Sequence, residues 1–231
     1  MLTLAFDTTS KTAAVALLKD KEIISDTIVN KGLNHSEVIL PAIDQALKRE
    51  RIKITDIDLF ACTIGPGSFT GVRIGISTIK GLMLATGKPA AGISSLAALA
   101  LNVGKSKKLI CSILDAGRGQ VYTASFRYNK NGFLEQIDME SAVKPKYVLS
   151  NIHEDVICVG EGAVMYSDII LKDDTKNILI DSALPQHIKA SSVGILGVEK
   201  YARKELLSAE TCVPVYLRSA DARPKKVLFD N

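Results

Sequence analysis

The sequence predicts an α/β protein built from two duplicated lobes, each a mixed sheet carrying helices, and three observations predict it. The apolar run LTLAF ends in Asp7, four residues intervene, the strand-like run TAAVALL follows, and a KDKE turn leads into IISDTIV. The same device returns later: ICSIL ends in Asp115, AGRG intervenes, then come QVYTASF, an NKNG turn and FLEQIDM. The third observation lies downstream of each copy. IDLFACTIGPG (57–67) and EDVICVGEGA (154–163) are both strands closed by Gly-x-Gly and followed by a helical segment. Two devices repeated in one order indicate internal duplication, and a three-stranded meander followed by alternating helices and strands gives a mixed sheet. The lobes divide at 1–102 and 103–231. The second, a shortened lobe, includes the helix candidate VMYSDIILKD, the helix SSVGILGVEKYARKELL and a basic tail, RSADARPKK.

Lobes of this kind, with Asp-bearing hairpins facing one cleft, describe the actin-like ATPase fold of sugar kinases and heat-shock chaperones. In that fold the hairpin turns hold nucleotide phosphates. Asp7, Thr8, Thr9, Ser10 and Asp115 are therefore the candidate phosphate residues. The alternative for the same residues is that they end strands as turn formers.

The densest turn chemistry, GPGSFTGVRIG (65–75), matches no standard phosphate motif. A P-loop needs Lys and Ser or Thr after its last Gly, where Val72 and Arg73 stand. A dinucleotide fingerprint needs a third Gly at Thr70 and an acid about 20 residues on, where the chain reads KPAAGISS. An esterase elbow around Ser68 fails at Pro66.

Composition excludes further classes. The chain has 231 residues, 47% hydrophobic and 23% charged, with a formal net charge of +4. No run reaches the roughly 18 apolar residues of a membrane span. The start, MLTLAFDTTSK, lacks the basic segment and cleavage site of an export signal, so a cytoplasmic protein is expected. Cys62, Cys111, Cys158 and Cys212 form no CxxC pair, and three sit in apolar runs, which reads as buried thiols. His35, His153 and His187 show no metal-binding spacing, so no metal is expected.

Residues 71–86, placed on a helix, carry two apolar stripes. Val72, Ile76, Ile79 and Met83 form one; Gly71, Ile74, Gly75, Thr78, Leu82 and Ala85 form the second, which is rich in small residues. The helix HSEVILPAIDQALKRE also has a wide apolar arc that includes Val38, Ile39, Leu40, Ala42 and Ile43. Two neighbouring helices with more apolar surface than one sheet face covers leave a patch for a partner. The expected interface is Val38, Ala42, Gly71, Ile74, Gly75, Thr78 and Leu82, with the glycines serving packing and a tight turn more than phosphate.

Taken together, DTTS at 7, NHSEVILPAID at 34, GPGSFTGVRIG at 65, GISSLAALA at 92, DAGRGQVY at 115, GEGA at 160 and VPVYLR at 213 resemble the bacterial tRNA threonylcarbamoyladenosine biosynthesis family TsaB over nearly the whole chain. One departure is Gly117, where the family commonly has a second Arg. The resemblance implies a non-catalytic subunit, paralogous to the actin-like transferase TsaD, that helps make threonylcarbamoyladenosine beside the anticodon of ANN-decoding tRNAs. It implies pairing with TsaD through the first-lobe helices, self-pairing through the same surface when TsaD is absent, an added TsaE-type ATPase, and tRNA contact through the complex. It makes the two hairpins vestigial, with no catalytic residue or cofactor in the lone chain and ATP or ADP only in the assembled complex. The family's enzyme holds a metal through His-x-x-x-His; here His35 is followed four positions on by Ile39. The competing readings are an autonomous actin-like ATPase or small-molecule kinase using Asp7 and Asp115, and a hydrolase using Ser68 or Ser36 with His35, for which no third member can be named.

Overall fold

The computed structural model describes residues 1–29, 35–172, 177–208 and 210–218. The first half runs β1 (Leu2–Asp7), β2 (Ala13–Lys19), β3 (Glu22–Val29), α1 (His35–Arg49), β4 (Leu59–Gly65), α2 (Phe69–Thr86), β5 (Ala90–Ser94) and α3 (Ser95–Ala100). The second half runs β6 (Leu109–Gly117), β7 (Gln120–Tyr128), β8 (Leu134–Gln136), β9 (Ser141–Val143), β10 (Val156–Val159), α4 (Glu161–Met165), α5 (Ser167–Ile170), β11 (Ile178–Ile180) and α6 (Ala190–Ala202). The sheets are ordered β3-β2-β1-β4-β5 and β11-β10-β6-β7-β8, with β9 also on β7. In each, an antiparallel hairpin (β1–β2, β6–β7) is extended by a parallel strand (β4, β10) on its first member. This is the duplicated actin-like lobe architecture that the repeated pattern predicts.

Three layers of core follow from the strand alternation. On one face of the first sheet, Leu4, Phe6, Val15, Leu17 and Phe60 pack under Ile39 and Ile43 of α1 and Val72, Ile76 and Ile79 of α2. Its other face is lined by Ala5, Ala14, Ala16, Ala61 and Ala91, and this core continues through Leu96 and Leu99 of α3 to Ile110, Leu114 and Phe126 of the second sheet. The far face of the second sheet packs Cys111, Ile113, Val156 and Cys158 against Ala163 and Ile170.

Here the structure corrects the expected division. The C-terminal helix α6, assigned to the second lobe by its place in the chain, packs on the first-lobe sheet. An alanine-lined face lets a helix come close, and Gly194 uses that closeness: a Cβ there would stand 2.3 Å from Leu18 Cδ1. In exchange, α3 from the first half packs on β6 and β7. The expected helix VMYSDIILKD is broken into α4 and α5 at Tyr166 (φ −111°, ψ 21°). The expected strand FLEQIDM keeps only Leu134–Gln136. Asp138 turns back instead and accepts from the Ser125 N–H (2.6 Å) and hydroxyl (2.9 Å). The basic tail lies outside the described residues beyond Arg218.

All four cysteines are buried, and none is in a disulfide. Burial, reinforced by neighbouring Cys212 and Asp7, pushes the Cys62 thiol well up. Among the described residues, no helix is long and apolar enough to cross a membrane.

Candidate functional site

The two Asp-bearing turns, equal in spacing, differ in build. β1 ends at Asp7 and an irregular loop follows before β2. Asp7 is fully buried. Its Oδ1 accepts from the Thr9 N–H (3.0 Å), the Thr9 hydroxyl (2.6 Å) and the Thr63 hydroxyl of β4 (2.5 Å). Its Oδ2 accepts from the Ser10 hydroxyl (2.7 Å). Ser95, at the start of α3, adds a contact to the Thr9 hydroxyl at 2.9 Å. Thr8 turns the other way, donating to the Gly71 carbonyl at 2.7 Å. Asp7, Thr8, Thr9 and Ser10 thus come together as one hydrogen-bonded turn, and Thr63 and Ser95 complete it. Thr63 is the lone hydroxyl in the apolar run LFACTI, which was the available signal for it.

A carboxylate buried among donors satisfies them as much as they satisfy it. In Asp7→Ala those donors lose their shared acceptor inside the core. The expected loss is about 3 kcal/mol, which lowers the melting temperature by roughly 6–12 °C. A thermal melt checks this, and an unchanged melting point would mean that the turn does not depend on Asp7.

β6, by contrast, continues past Asp115 to Gly117, with a register shift between them. A tight turn follows, with positive φ at Gly117, Arg118 and Gly119. Such a left-handed turn matches the twist of a hairpin. Asp115 is half-buried and accepts from the Gly117 N–H at 2.9 Å. Between the two halves, Lys11 of the first turn lies 3.7 Å from Glu161, which opens α4.

The α1–α2 surface is the more open feature. A groove of about 440 Å³ runs between the helices, lined among others by Leu40, Phe69, Arg73, Ile74, Ser77 and Thr78. Leu40 is 54% and Phe69 36% exposed. Of the expected interface residues, Ile74 and Thr78 line this groove, while Ala42 and Leu82 are half-buried along the same helices. Three others are placed differently. Val38 is buried. Gly71 and Gly75 are buried beneath the first turn: a Cβ on Gly71 would stand 1.9 Å from the Thr8 carbonyl oxygen, and one on Gly75 2.7 Å from the Thr8 hydroxyl. Their small size admits the β1–β2 turn, not another helix. Helical projection cannot distinguish these, because a stripe of small residues fits a loop as well as it fits a helix. Ile39, at the position of the family enzyme's second histidine, is buried in the first-lobe core.

The family model described as TsaD, tRNA N6-adenosine threonylcarbamoyltransferase, matches residues 23–226. The chain is 34% identical over 228 residues to the tRNA threonylcarbamoyladenosine biosynthesis protein TsaB of Bacillus subtilis (strain 168), covering 97% of each. It is 30% identical over 226 residues to the protein of that name in Escherichia coli (strain K12), covering 95% of each. The solved structure of YeaZ from Pseudomonas aeruginosa matches with a TM-score of 0.79 at 27% identity, over 94% of this chain and 99% of that one. Whole-length matches to TsaB proteins, on the duplicated fold that the repeated hairpins predict, mean that the chain belongs to the TsaB family.

Proposed function

We propose that the chain is a non-catalytic scaffold and activator subunit in threonylcarbamoyladenosine formation on tRNA, acting by pairing with a TsaD-type transferase through α1 and α2. The observation that carries this reading is the groove between those helices, with Leu40 and Phe69 exposed at its rim. Exposed apolar side chains gathered in one concave surface fit a protein partner better than they fit water. Self-pairing would use the same surface, so homodimer and heterodimer exclude each other. A TsaE-type ATPase joins the assembled pair, and tRNA is reached through the complex, in the cytoplasm.

The second reading, an autonomous ATPase, is favoured only by the inherited hairpins. Against it stands the Asp7 carboxylate, whose oxygens accept from Thr9, Thr63 and Ser10 and so are turned toward the chain's own donors. Nucleotide is therefore assigned to the multi-subunit complex and not to the lone chain.

Reconstitution tests both readings. Mixed with a TsaD-type transferase, the substrates and tRNA, the chain is expected to raise transfer strongly, and to support none by itself. Calorimetric titration of the lone chain with Mg-ATP is expected to give no submicromolar binding. Tight binding lost in Asp7→Ala, in a variant that still folds, would overturn the scaffold reading in favour of the ATPase. Binding seen only with the partner present would not.

A further inference from the structure

The segment after α6 touches both lobes within a short stretch. Cys212 is buried in the core under α1 and α2. The Val215 N–H donates to the Ile64 carbonyl at the end of β4 (2.8 Å). The Val215 carbonyl lies over Gly65 (φ +114°), so close that a Cβ there would stand 2.5 Å from its oxygen. Tyr216 stacks on Phe69, with ring centroids 4.9 Å apart and 30° between planes. Arg73 holds both rings: its Nε donates to the Tyr216 hydroxyl at 3.0 Å, and its guanidinium carbon sits 3.8 Å from the Phe69 centroid. Leu217 packs against the core shared by the lobes. Arg218 then donates from Nη1 to the Ala116 carbonyl at 2.8 Å, beside the Asp115 turn.

Phe69 and Arg73 line the α1–α2 groove. One end of that groove is thus held by Tyr216, and two residues on the chain is tied to the second lobe. We propose that residues 212–218 are a strap that couples the Asp115 turn to the Phe69 end of the groove, so that partner binding and the arrangement of the two lobes bias one another. The inference rests on the reading of α1–α2 as the surface for a TsaD-type partner.

An extended segment held by few backbone hydrogen bonds lies toward the low-stability end of a fold and can lift without global unfolding. A partner that binds only the strap-down form has its apparent affinity reduced by the fraction of chains in which the strap is up. Cutting the second-lobe anchor therefore weakens binding at a groove the anchor does not line. Linkage also requires the reverse: an occupied groove holds the strap down.

The test compares Arg218→Ala, Tyr216→Ala and the unaltered chain by affinity for the TsaD-type transferase, by amide exchange at residues 69–73 and at Val215, and by thermal melt. Arg218→Ala is expected to bind roughly 3- to 30-fold more weakly, to exchange faster at residues 69–73 and Val215, and to melt within about 4 °C of the unaltered chain. Adding the transferase to the unaltered chain is expected to slow exchange at Val215. If Arg218→Ala binds normally while Tyr216→Ala binds weakly, Tyr216 is a local wall and the coupling is refuted. If neither variant changes binding, the strap plays no part in the surface. Should Arg218→Ala fail to fold, Arg218→Lys, which keeps the charge but replaces the planar fork of donors by one ammonium on a shorter stem, is read by the same criteria. If the unaltered chain binds no transferase, the scaffold reading fails on its own. Exchange at residues 69–73 in the free variants still decides whether the strap couples the lobes: unchanged exchange in the Arg218 variant sinks it.

Discussion

Ile74→Glu leaves the chain folded and removes it from a complex with the transferase. Ile74 is half-buried, packed on the edge of the α1–α2 core and facing the groove. In the free protein a glutamate there can turn its carboxylate toward the open groove, so the melting temperature falls by only a few degrees, roughly the effect of 1 kcal/mol. Under a bound partner the same charge is desolvated without a counter-ion, which costs at least ~2–3 kcal/mol. That corresponds to roughly 30- to 150-fold weaker binding, enough to empty a pull-down at micromolar concentration. Leu40→Glu is the companion variant, since Leu40 is already 54% exposed and its replacement touches the fold less. A cooperative melt lost in Ile74→Glu would assign the residue to the internal core. Normal melting with unchanged capture of the transferase by both variants would place the interface elsewhere.

Gly71→Ala destabilises the protein more than a single methyl ordinarily does. The added carbon would meet the Thr8 carbonyl oxygen at 1.9 Å, and that oxygen belongs to backbone, which cannot swing aside as a flexible side chain can. Either α2 moves off the sheet or the turn moves off Asp7, and the Thr8 hydroxyl loses its short bond to the Gly71 carbonyl. Overpacking with backbone shifts costs about 3 kcal/mol, which appears as a fall of roughly 6–12 °C in melting temperature. Gly81→Ala is the control. Gly81 lies on the same helix with nothing near its missing Cβ, and alanine is the better helix former by about 1 kcal/mol. Its melting temperature is expected to hold or rise. Equal behaviour of the two variants would show that the close approach of the turn does not govern the glycine at 71.

The fold was legible in the sequence because its signals are local. Strand runs of alternating faces, the Asp-ended hairpins and the Gly-x-Gly closures each lie within a dozen or so residues, and their repetition in one order carries the duplication. The apolar stripe Val72, Ile76 and Ile79 is likewise a property of one helix, and it does face the sheet. What the sequence left undecided are matters of who meets whom. Residues 190–202 form a helix in either lobe; only an alanine-lined sheet face able to take a helix with Gly194 against Leu18 decides that it packs on the first. Gly71 and Gly75 read as room for a neighbouring helix, and only the path of the chain through Thr8, more than sixty positions away, shows that the space is filled by a turn. Asp7 and Asp115 are equivalent in spacing, yet Thr63 from another strand and Ser95 from another helix bury the first in hydroxyls while the second ends in a tight hairpin. Local pattern fixes what each segment becomes, because hydrogen bonding and side-chain alternation repeat over a few residues. Which buried surface a segment covers is settled by contacts between segments distant in sequence, and those exist only once the lobes have closed on a common core.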